Sequence, residues 1–326
     1  MATPLNIPRQ VDAAQSVSVV VPSFNHARFI ERTLRSIFRQ TCTPLKLFVI
    51  DDGSTDESPA VVARVLKDAP FPAELIVRAN RGLCTTLNEG LSKTSGEFFT
   101  YLGSDDVWLP QFLAARLEML TSRPKAVLGY GNAYSIDESD RIIDCTVDWA
   151  AYADGDVRGM LLTTLAPLSP TVVYRRAAVE RYGWNEEAAL EDYELYLRLS
   201  GDGDFAFDPQ ILSAWRQHES NASSNMELMF QERLSAQRRV ANAMHLDEAQ
   251  LRNYARIARF RSAQEFMRNG KKRRALQLWR EGKAASLTEA MRMMIGLMTP
   301  SRLVRSRRQG RRREAIERYG SISLSS

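Results

Sequence analysis

The sequence predicts an α/β fold: a mostly parallel central sheet flanked by helices, followed by a helical carboxy-terminal region. Three observations carry this. Short β-branched or aromatic runs alternate with stretches of helical spacing through the first third of the chain, each of those runs ends in polar or acidic residues, and beyond about Met226 the β-branched runs stop. Strands alternating with helices are the pattern of a parallel sheet with right-handed crossovers. At 326 residues the chain can bury a sizeable core as one large domain with a smaller appendage.

Val17-Ser18-Val19-Val20-Val21 is a strand-like run that stops at Pro22-Ser23-Phe24-Asn25, after which Ile30, Leu34, Ile37 and Phe38 recur at helical spacing. Leu45 to Ile50 is a second apolar run, ended by Asp51-Asp52-Gly53-Ser54-Thr55-Asp56, and Val61, Val62, Val65 and Leu66 give the next helical face. Leu75-Ile76-Val77 is a short third strand, followed by Asn80-Arg81-Gly82 and a helix through Leu87 and Leu91. The aromatic run Phe98-Phe99-Thr100-Tyr101 then leads into Gly103-Ser104-Asp105-Asp106. One such cluster is turn chemistry as readily as a site. Four in succession at corresponding strand ends favour a binding edge, because ligands of open α/β sheets sit outside the carboxyl ends of the strands. Asp105 and Asp106 are the best candidates there for a hard divalent cation, Mg²⁺ or Mn²⁺, which takes oxygen ligands.

The second third begins a different half. Ala126 to Tyr134 reads as a strand, Asp137 to Asp140 as a hairpin connection, and Leu168 to Arg176 as a further strand. Leu190-Glu191-Asp192 opens an amphipathic helix whose two acids suit its positive amino-terminal end. In the last third, Ala263, Phe266, Ala275, Leu276 and Trp279 suit two packed helices with Asn269-Gly270 at the turn.

Taken together, Val19 to Asn25, Val49 to Asp56, Asn80-Arg81-Gly82 and Ser104-Asp105-Asp106 resemble the ordered motifs of glycosyltransferase family 2, from about Ser16 to Asn225. The resemblance implies a GT-A type, Rossmann-like domain over 1–225, with a nucleotide-binding half at about 16–108 and an acceptor half at about 109–225, and leaves 226–326 as a helical region with a basic tail. It implies inverting, divalent-metal-dependent transfer of a sugar from a nucleotide-diphosphate donor, a UDP- or dTDP-sugar, to a hydroxyl of a glycan, lipid-linked or protein acceptor in bacterial surface polysaccharide or glycoconjugate synthesis. Residue by residue, Pro22, Ser23 and Asn25 line the nucleotide, Asp52 accepts from the base with Asp51 as its structural partner, and Asn80 lies near base and ribose. Ser104 and Asp105 belong to the donor segment, and Asp105, Asp106 and His218 hold the metal. Arg216 approaches the diphosphate, and Asp192 is the general base with Glu191 orienting it. Two positions depart from the family: Gly103 stands where an aspartate is common, and Leu87 where an arginine is.

Charge and cysteine usage bound the setting. The formal net charge is +5, and Ser301 to Ser326 holds eight arginines against two glutamates. Beside the apolar stretch Ala290 to Met298 this suits either attachment to an anionic membrane surface, where each basic residue contributes ~1 kcal/mol, or a packed helix with a solvated tail. On either reading the tail is expected to be dispensable for donor chemistry. The basic run lacks interleaved aromatics, so nucleic acid is not an expected partner. Three scattered cysteines, Cys42, Cys84 and Cys145, suit a reducing compartment. Met1 to Ser16 lacks an apolar signal core, so Asn221-Ala222-Ser223 is discounted as a glycosylation acceptor, and a cytoplasmic protein, at most peripheral on the inner face of the membrane, is expected. Two rivals remain: a nucleotidyltransferase, for which Pro22 to Arg28 would have to be a glycine-rich basic phosphate loop, and an inactive nucleotide-sugar-binding protein.

Overall fold

A computed structural model describes residues 16–219, 221, 225–282 and 287–322. The amino-terminal signal reading and most of the Asn221-Ala222-Ser223 triplet lie outside the described residues. Four strands open the sheet: β1 (Val17–Ser23), β2 (Lys46–Asp51), β3 (Ala73–Val77) and β4 (Phe98–Tyr101), in the spatial order β3-β2-β1-β4 and mutually parallel. Helices α1 (Ile30–Phe38), α2 (Ser58–Val65) and α3 (Leu83–Lys93) make the crossovers. Every residue of β1 is buried, which is why it reads as a continuous run of β-branched residues and not as an alternation. Val17, Val19 and Val21 face one apolar layer with Leu34, Ile37 and Val62, while Val20 faces the other with Leu87, Leu91 and Tyr101.

Beyond β4 the pairing changes. The loop after β4 is too short for a crossover of a dozen or more residues, so β5 (Val107–Trp108) leaves its neighbour and pairs antiparallel with β9 (Asp204–Arg216). Between β4 and β9 lie β8 (Val173–Arg175), antiparallel to β4, and β6 (Ala126–Ile136), antiparallel to β8 and parallel to β9. β7 (Ile142–Cys145) folds back on β6 through the Asp137–Asp140 turn. The strand expected over Leu168 to Arg176 is confined to β8, because Ser169-Pro170-Thr171 makes a 3₁₀ turn and Pro170 has no N–H for a ladder. The other layers include α4 (Phe112–Ser122), α5 (Arg158–Leu162), α6 (Arg176–Tyr182) and α7 (Glu191–Leu199).

The carboxy-terminal region is helical: α8 (Met226–Val240), α9 (Glu248–Arg268), α10 (Lys272–Glu281), α11 (Leu287–Met298) and α12 (Ser301–Tyr319). A capping box of Asp247 and Gln250 starts α9. Ala258, Phe260, Ala263 and Phe266 of α9 pack with Ala275 and Leu278 of α10, so Leu278 takes the core position that the sequence reading gave to Leu276. The tail is not a solvated appendage. Tyr319 packs on Tyr134, Ile322 enters an apolar cluster with Val107, Ile136, Ile142 and Ala214, and Ile322 N–H donates to the Asp140 carbonyl at 3.0 Å. No helix among the described residues is long and apolar enough to cross a membrane.

Two glycines give opposite expectations. A Cβ on Gly90 of α3 would stand 2.7 Å from Val20 Cγ1 of β1, so Gly90→Ala should destabilise by about 1–3 kcal/mol through overpacking. A Cβ on Gly310 of α12 would meet nothing within 4 Å, and Gly310→Ala should stabilise by roughly 0.5–1 kcal/mol. Urea unfolding of the two variants checks both signs.

Candidate active site

The loops after β1 and β2 are tied together by one buried carboxylate. Asp51 is fully buried and accepts from Ser23 Oγ at 3.0 Å, Ser54 Oγ at 2.7 Å and Ser54 N–H at 2.9 Å. Ser23 and Pro22 are therefore inside, supporting the loop rather than exposed on it. Asn25 is exposed and takes a left-handed backbone, φ 55°, with its Oδ1 accepting from Thr55 N–H at 2.8 Å. Asp52 sits one residue on from Asp51 and faces the β3–α3 connection. Its oxygens accept from Arg81 N–H and Gly82 N–H, each at 2.8 Å, and from Arg78 Nη1. A carboxylate offers about four acceptor sites, so Oδ2 keeps one. Asn80 is exposed beside it. A Cβ on Gly53, φ +79°, would lie 2.7 Å from Asn80 N, so this close approach of two loops requires glycine.

At the end of β4 the structure assembles a second group. His218 Nε2 lies 2.8 Å from Asp105 Oδ2, and His26 Nδ1 lies 2.7 Å from Ser104 Oγ and 3.9 Å from Asp105 Oδ1. One ligand atom each from His26, Asp105 and His218 fall within 4.8 Å of one another, a donor set that can hold a divalent cation. Phe29 stacks on the His218 ring at 5.1 Å. Burial, and then His218 nearby, hold the His26 imidazole below its ordinary value against the pull of Asp105. A neutral ring is the form that binds a metal.

Two residues expected at this centre do other work. Asp106 is buried, and its Oδ1 accepts from Arg216 N–H at 2.8 Å; burial and the neighbouring Asp105 raise its carboxyl well above the usual range. It stands outside the three-residue group. Arg216 is only 1% exposed, and its guanidinium donates to the Asp105 carbonyl at 2.7 Å, the Asp137 carbonyl at 2.8 Å and Asp140 Oδ1 at 2.7 Å. All three guanidinium nitrogens are thus engaged inside the protein, where they fix the loop that carries Asp105. Asp137 and Asp140 are gripped from the tail as well, by Arg312 to Asp137 Oδ2 at 3.1 Å and by the Ile322 backbone. The tail is thus part of the frame of the site.

The acceptor side is built on α7. Tyr101 Oη, from β4, donates to Asp192 Oδ1. Burial, and then Glu191 beside it, push the Asp192 carboxyl well above the usual range, opposed by the hydroxyls of Tyr101 and Ser169. Burial also raises Glu191. Tyr101 itself is pushed well above its ordinary value by burial and by Asp192, which keeps it a donor. The Cys84 thiol is pushed up to about 12 by burial and by Glu191 and Asp192, so it is no nucleophile at neutral pH. Asn88 holds the turn below, accepting from Trp184 N–H at 2.8 Å and donating to Glu186 Oε1 at 3.1 Å. Leu87 is fully buried in the core, so that position offers no cation to a donor. Since Tyr101 and Asp105 lie on one short segment, the α7 acids and the His26–Asp105–His218 group share the same end of β4.

Residues 18–183, about half of the chain, match the pattern of the family described as Glycosyl transferase family 2. The chain belongs to glycosyl transferase family 2. Family 2 relatives include an uncharacterized glycosyltransferase of Nostoc sp., 30% identical over 170 residues that are 51% of this chain and 52% of that protein. Chondroitin synthase of Escherichia coli is 26% identical over 208 residues, 64% of this chain and 30% of that one. The matches thus span about half or less of these relatives. Among solved structures, mannosyltransferase PcManGT from Pyrobaculum calidifontis, in complex with GDP-Man and Mn²⁺, aligns with TM-score 0.59 at 17% identity over 93% of this chain and 86% of that one. S. aureus TarS 1–349 in complex with UDP-GlcNAc aligns with TM-score 0.60 at 16% identity over 93% and 91%. The fold is of the GT-A type.

Three residues of this family 2 site escape the sequence motifs. His26 is one of only three histidines and follows Asn25, a signal that was there to be weighed. Arg78, paired with Asp52 and Glu89, and Tyr101, inside an aromatic strand, carry no local mark of their contacts. The role of the tail in the frame is open to test without touching the site. Ile322→Asp would put a charge among Val107, Ile136, Ile142 and Ala214. Hydrogen exchange should then quicken about tenfold or more at the amides of Ile142 and Arg216, a local loss of ~1.4 kcal/mol; unchanged exchange would make the tail a passenger.

Proposed function

We propose that the chain is an inverting glycosyltransferase that moves a sugar from a nucleotide diphosphate to a hydroxyl of a glycan, lipid-linked or protein acceptor, with Mn²⁺ held by His26, Asp105 and His218. The observation that carries the reading is the opposition of two kinds of acid at the end of β4: an ionisable carboxylate on α7, and a carboxylate bracketed by two imidazoles on the loop. Two nitrogen donors beside one carboxylate suit Mn²⁺ better than Mg²⁺, which prefers an oxygen shell. When bound, the cation stabilises the negative charge that develops on the leaving diphosphate.

Asp192 is the general base in this reading. It takes the proton of the acceptor hydroxyl as that oxygen bonds to the anomeric carbon, and the carbon–oxygen bond to the diphosphate breaks with its electron pair leaving on the nucleotide. Glu191 and Tyr101 hold and tune it. The uncommitted acceptor site on Asp52 Oδ2 suits the N3–H of uracil or thymine, which supports a UDP- or dTDP-sugar, with Asn25 and Asn80 exposed alongside. The likeness to chondroitin synthase supports a role in bacterial polysaccharide synthesis, and we place that role at the cytoplasmic face of a membrane on the basic flank of α11 and α12.

Donor hydrolysis and transfer with a panel of nucleotide-sugars, with and without Mn²⁺, test the proposal, and NMR of the product gives its anomeric configuration. Asp192→Asn should lower turnover by roughly 10²–10⁴-fold with nucleotide binding preserved. Retained transferase activity, or a product of retained configuration, would sink the mechanism. Calorimetry separates the two loop acids: Asp105→Asn or His26→Ala should abolish the Mn²⁺ enhancement of nucleotide diphosphate binding, whereas Asp106→Asn, whose Oδ1 still accepts from Arg216 N–H, should largely keep it.

The pH profile gives a further check. A base must be deprotonated, and the Asp192 pKa lies above the usual carboxylate range, so turnover should rise with pH on an acid limb above that range. The Tyr101 hydroxyl favours the charged form of Asp192, so Tyr101→Phe should move the limb to still higher pH. A limb that stays put would leave Tyr101 with packing alone.

A further inference from the structure

The helices beyond the GT-A sheet carry a surface that the transfer reaction does not use. α11 is fixed on α9 by one face: Met293 is fully buried, and a Cβ on Gly296 would lie 2.5 Å from Met267 Sδ. Its opposite face is an unbroken apolar stripe. Leu287, Met291, Met294, Ile295 and Met298 follow one another at helical spacing and are 45–83% exposed, and Leu303 in the first turn of α12 is 53% exposed. Single exposed apolar side chains are ordinary, whereas a contiguous set marks a surface that something covers.

Between α9 and α11, on the side of α11 that packs on α9, is a cavity of about 250 Å³ floored by Met267 and Met293 and rimmed by Arg261, Gln264, Arg268, Glu289 and Arg292. Three guanidinium groups there face one carboxylate, Glu289, which pairs with Arg261 at 3.4 Å. Burial, and then Arg311 and Arg261, hold the Arg268 guanidinium below its ordinary value, a sign of crowded positive charge. Three arginines of the basic tail are engaged elsewhere: Arg308 donates to Asn269 Oδ1, Arg312 to Asp137 and Arg318 to Asp148.

We propose that the α11 face docks on an anionic phospholipid surface, with the stripe entering the headgroup boundary and a lipid phosphate meeting Arg268 and Arg292 at the cavity. An apolar helix face flanked by arginines is the composition of helices that lie in that interface. A second copy of the chain is the less favoured cover, because a self-complementary contact centred on α11 sets the arginines of the two copies against each other. Free phosphate would fill the cavity and leave the stripe uncovered. The inference sharpens the membrane location proposed above and is independent of the transferase reading.

Cosedimentation of the full chain with vesicles tests it, alongside size-exclusion light scattering and donor hydrolysis. The wild type should bind phosphatidylglycerol-containing vesicles at least tenfold more tightly than pure phosphatidylcholine, and millimolar inorganic phosphate should not compete. M294D/I295D and R268Q/R292Q should each weaken that binding tenfold or more with donor hydrolysis unchanged, since none of these side chains belongs to the group at the end of β4, and an unchanged melting temperature of M294D/I295D, whose side chains are 49% and 60% exposed, shows that this variant is folded. Absence of phosphatidylglycerol binding by the wild type would remove both the membrane location and this face. Undiminished binding by M294D/I295D would remove only the face, and so would a wild-type dimer that this variant splits.

Discussion

The arrangement at the sheet edge depends on the buried guanidinium of Arg216. It bridges elements far apart in sequence, taking the Asp105 carbonyl after β4, and the Asp137 carbonyl and Asp140 carboxylate of the β6–β7 turn, while its own backbone N–H engages Asp106. A charge 1% exposed is tolerable only when paired and hydrogen-bonded throughout. Removing one partner of such a buried pair typically costs 3–5 kcal/mol, so the turn, the loop and the end of β9 are held as one unit. Arg32 adds a second cation to Asp140 at 3.0 Å and also donates to the Ile322 carbonyl at 3.0 Å, which ties α1 and the tail into the same knot.

Around that knot the protein separates carboxylates by environment. Asp51 and Asp52 are hydrogen-bonded by hydroxyls, amides and Arg78, which hold them as fixed acceptors at the ends of the strands, with one acceptor position of Asp52 Oδ2 left uncommitted. Among the described residues Asp192 and Glu191 receive few donors and no paired cation, so burial dominates and both are pushed towards the protonated form. Acids whose surroundings differ in this way are suited to different roles in one reaction. The amino-terminal turn of α7 opposes the burial by favouring negative charge, which keeps ionisation of Asp192 within reach.

Legibility in the sequence followed range. β1 to β4 and their crossover helices were readable because each is specified by local periodicity and by turn residues at its own end, and α7 because its acids and leucines share a short window. The pairing of β5 with β9 was not, since it joins Val107 to Ala214 and depends on how short the loop after β4 is. The same holds at the site. Asp105 and His218 are marked by motif, whereas the inward turn of Arg216 depends on Asp140, and that of Asp140 on Ile322, a chain of contacts that no window of sequence contains. The tail read as a solvated or membrane-bound strip because eight arginines outweigh everything local, yet Tyr319 and Ile322 decide where it goes.

Gly103 and His26 are best understood as one adjustment. A Cβ on Gly103 would stand 2.9 Å from Asp105 Oδ1 and 3.0 Å from Asp106 Oδ2, so a third carboxylate at that position would crowd two that are already close, and would add negative charge where Asp106 is already driven towards protonation. Supplying the third donor as an imidazole from the β1 loop avoids both costs: burial and then His218 lower the pKa of His26, and its Nδ1 bonds Ser104 Oγ at 2.7 Å while lying 3.9 Å from Asp105 Oδ1. The exchange of an acid for a histidine also changes the donors that the group offers, from oxygen alone to mixed nitrogen and oxygen. The glycine that looked like a missing ligand is therefore the opening through which Asp105 and Asp106 come to lie side by side.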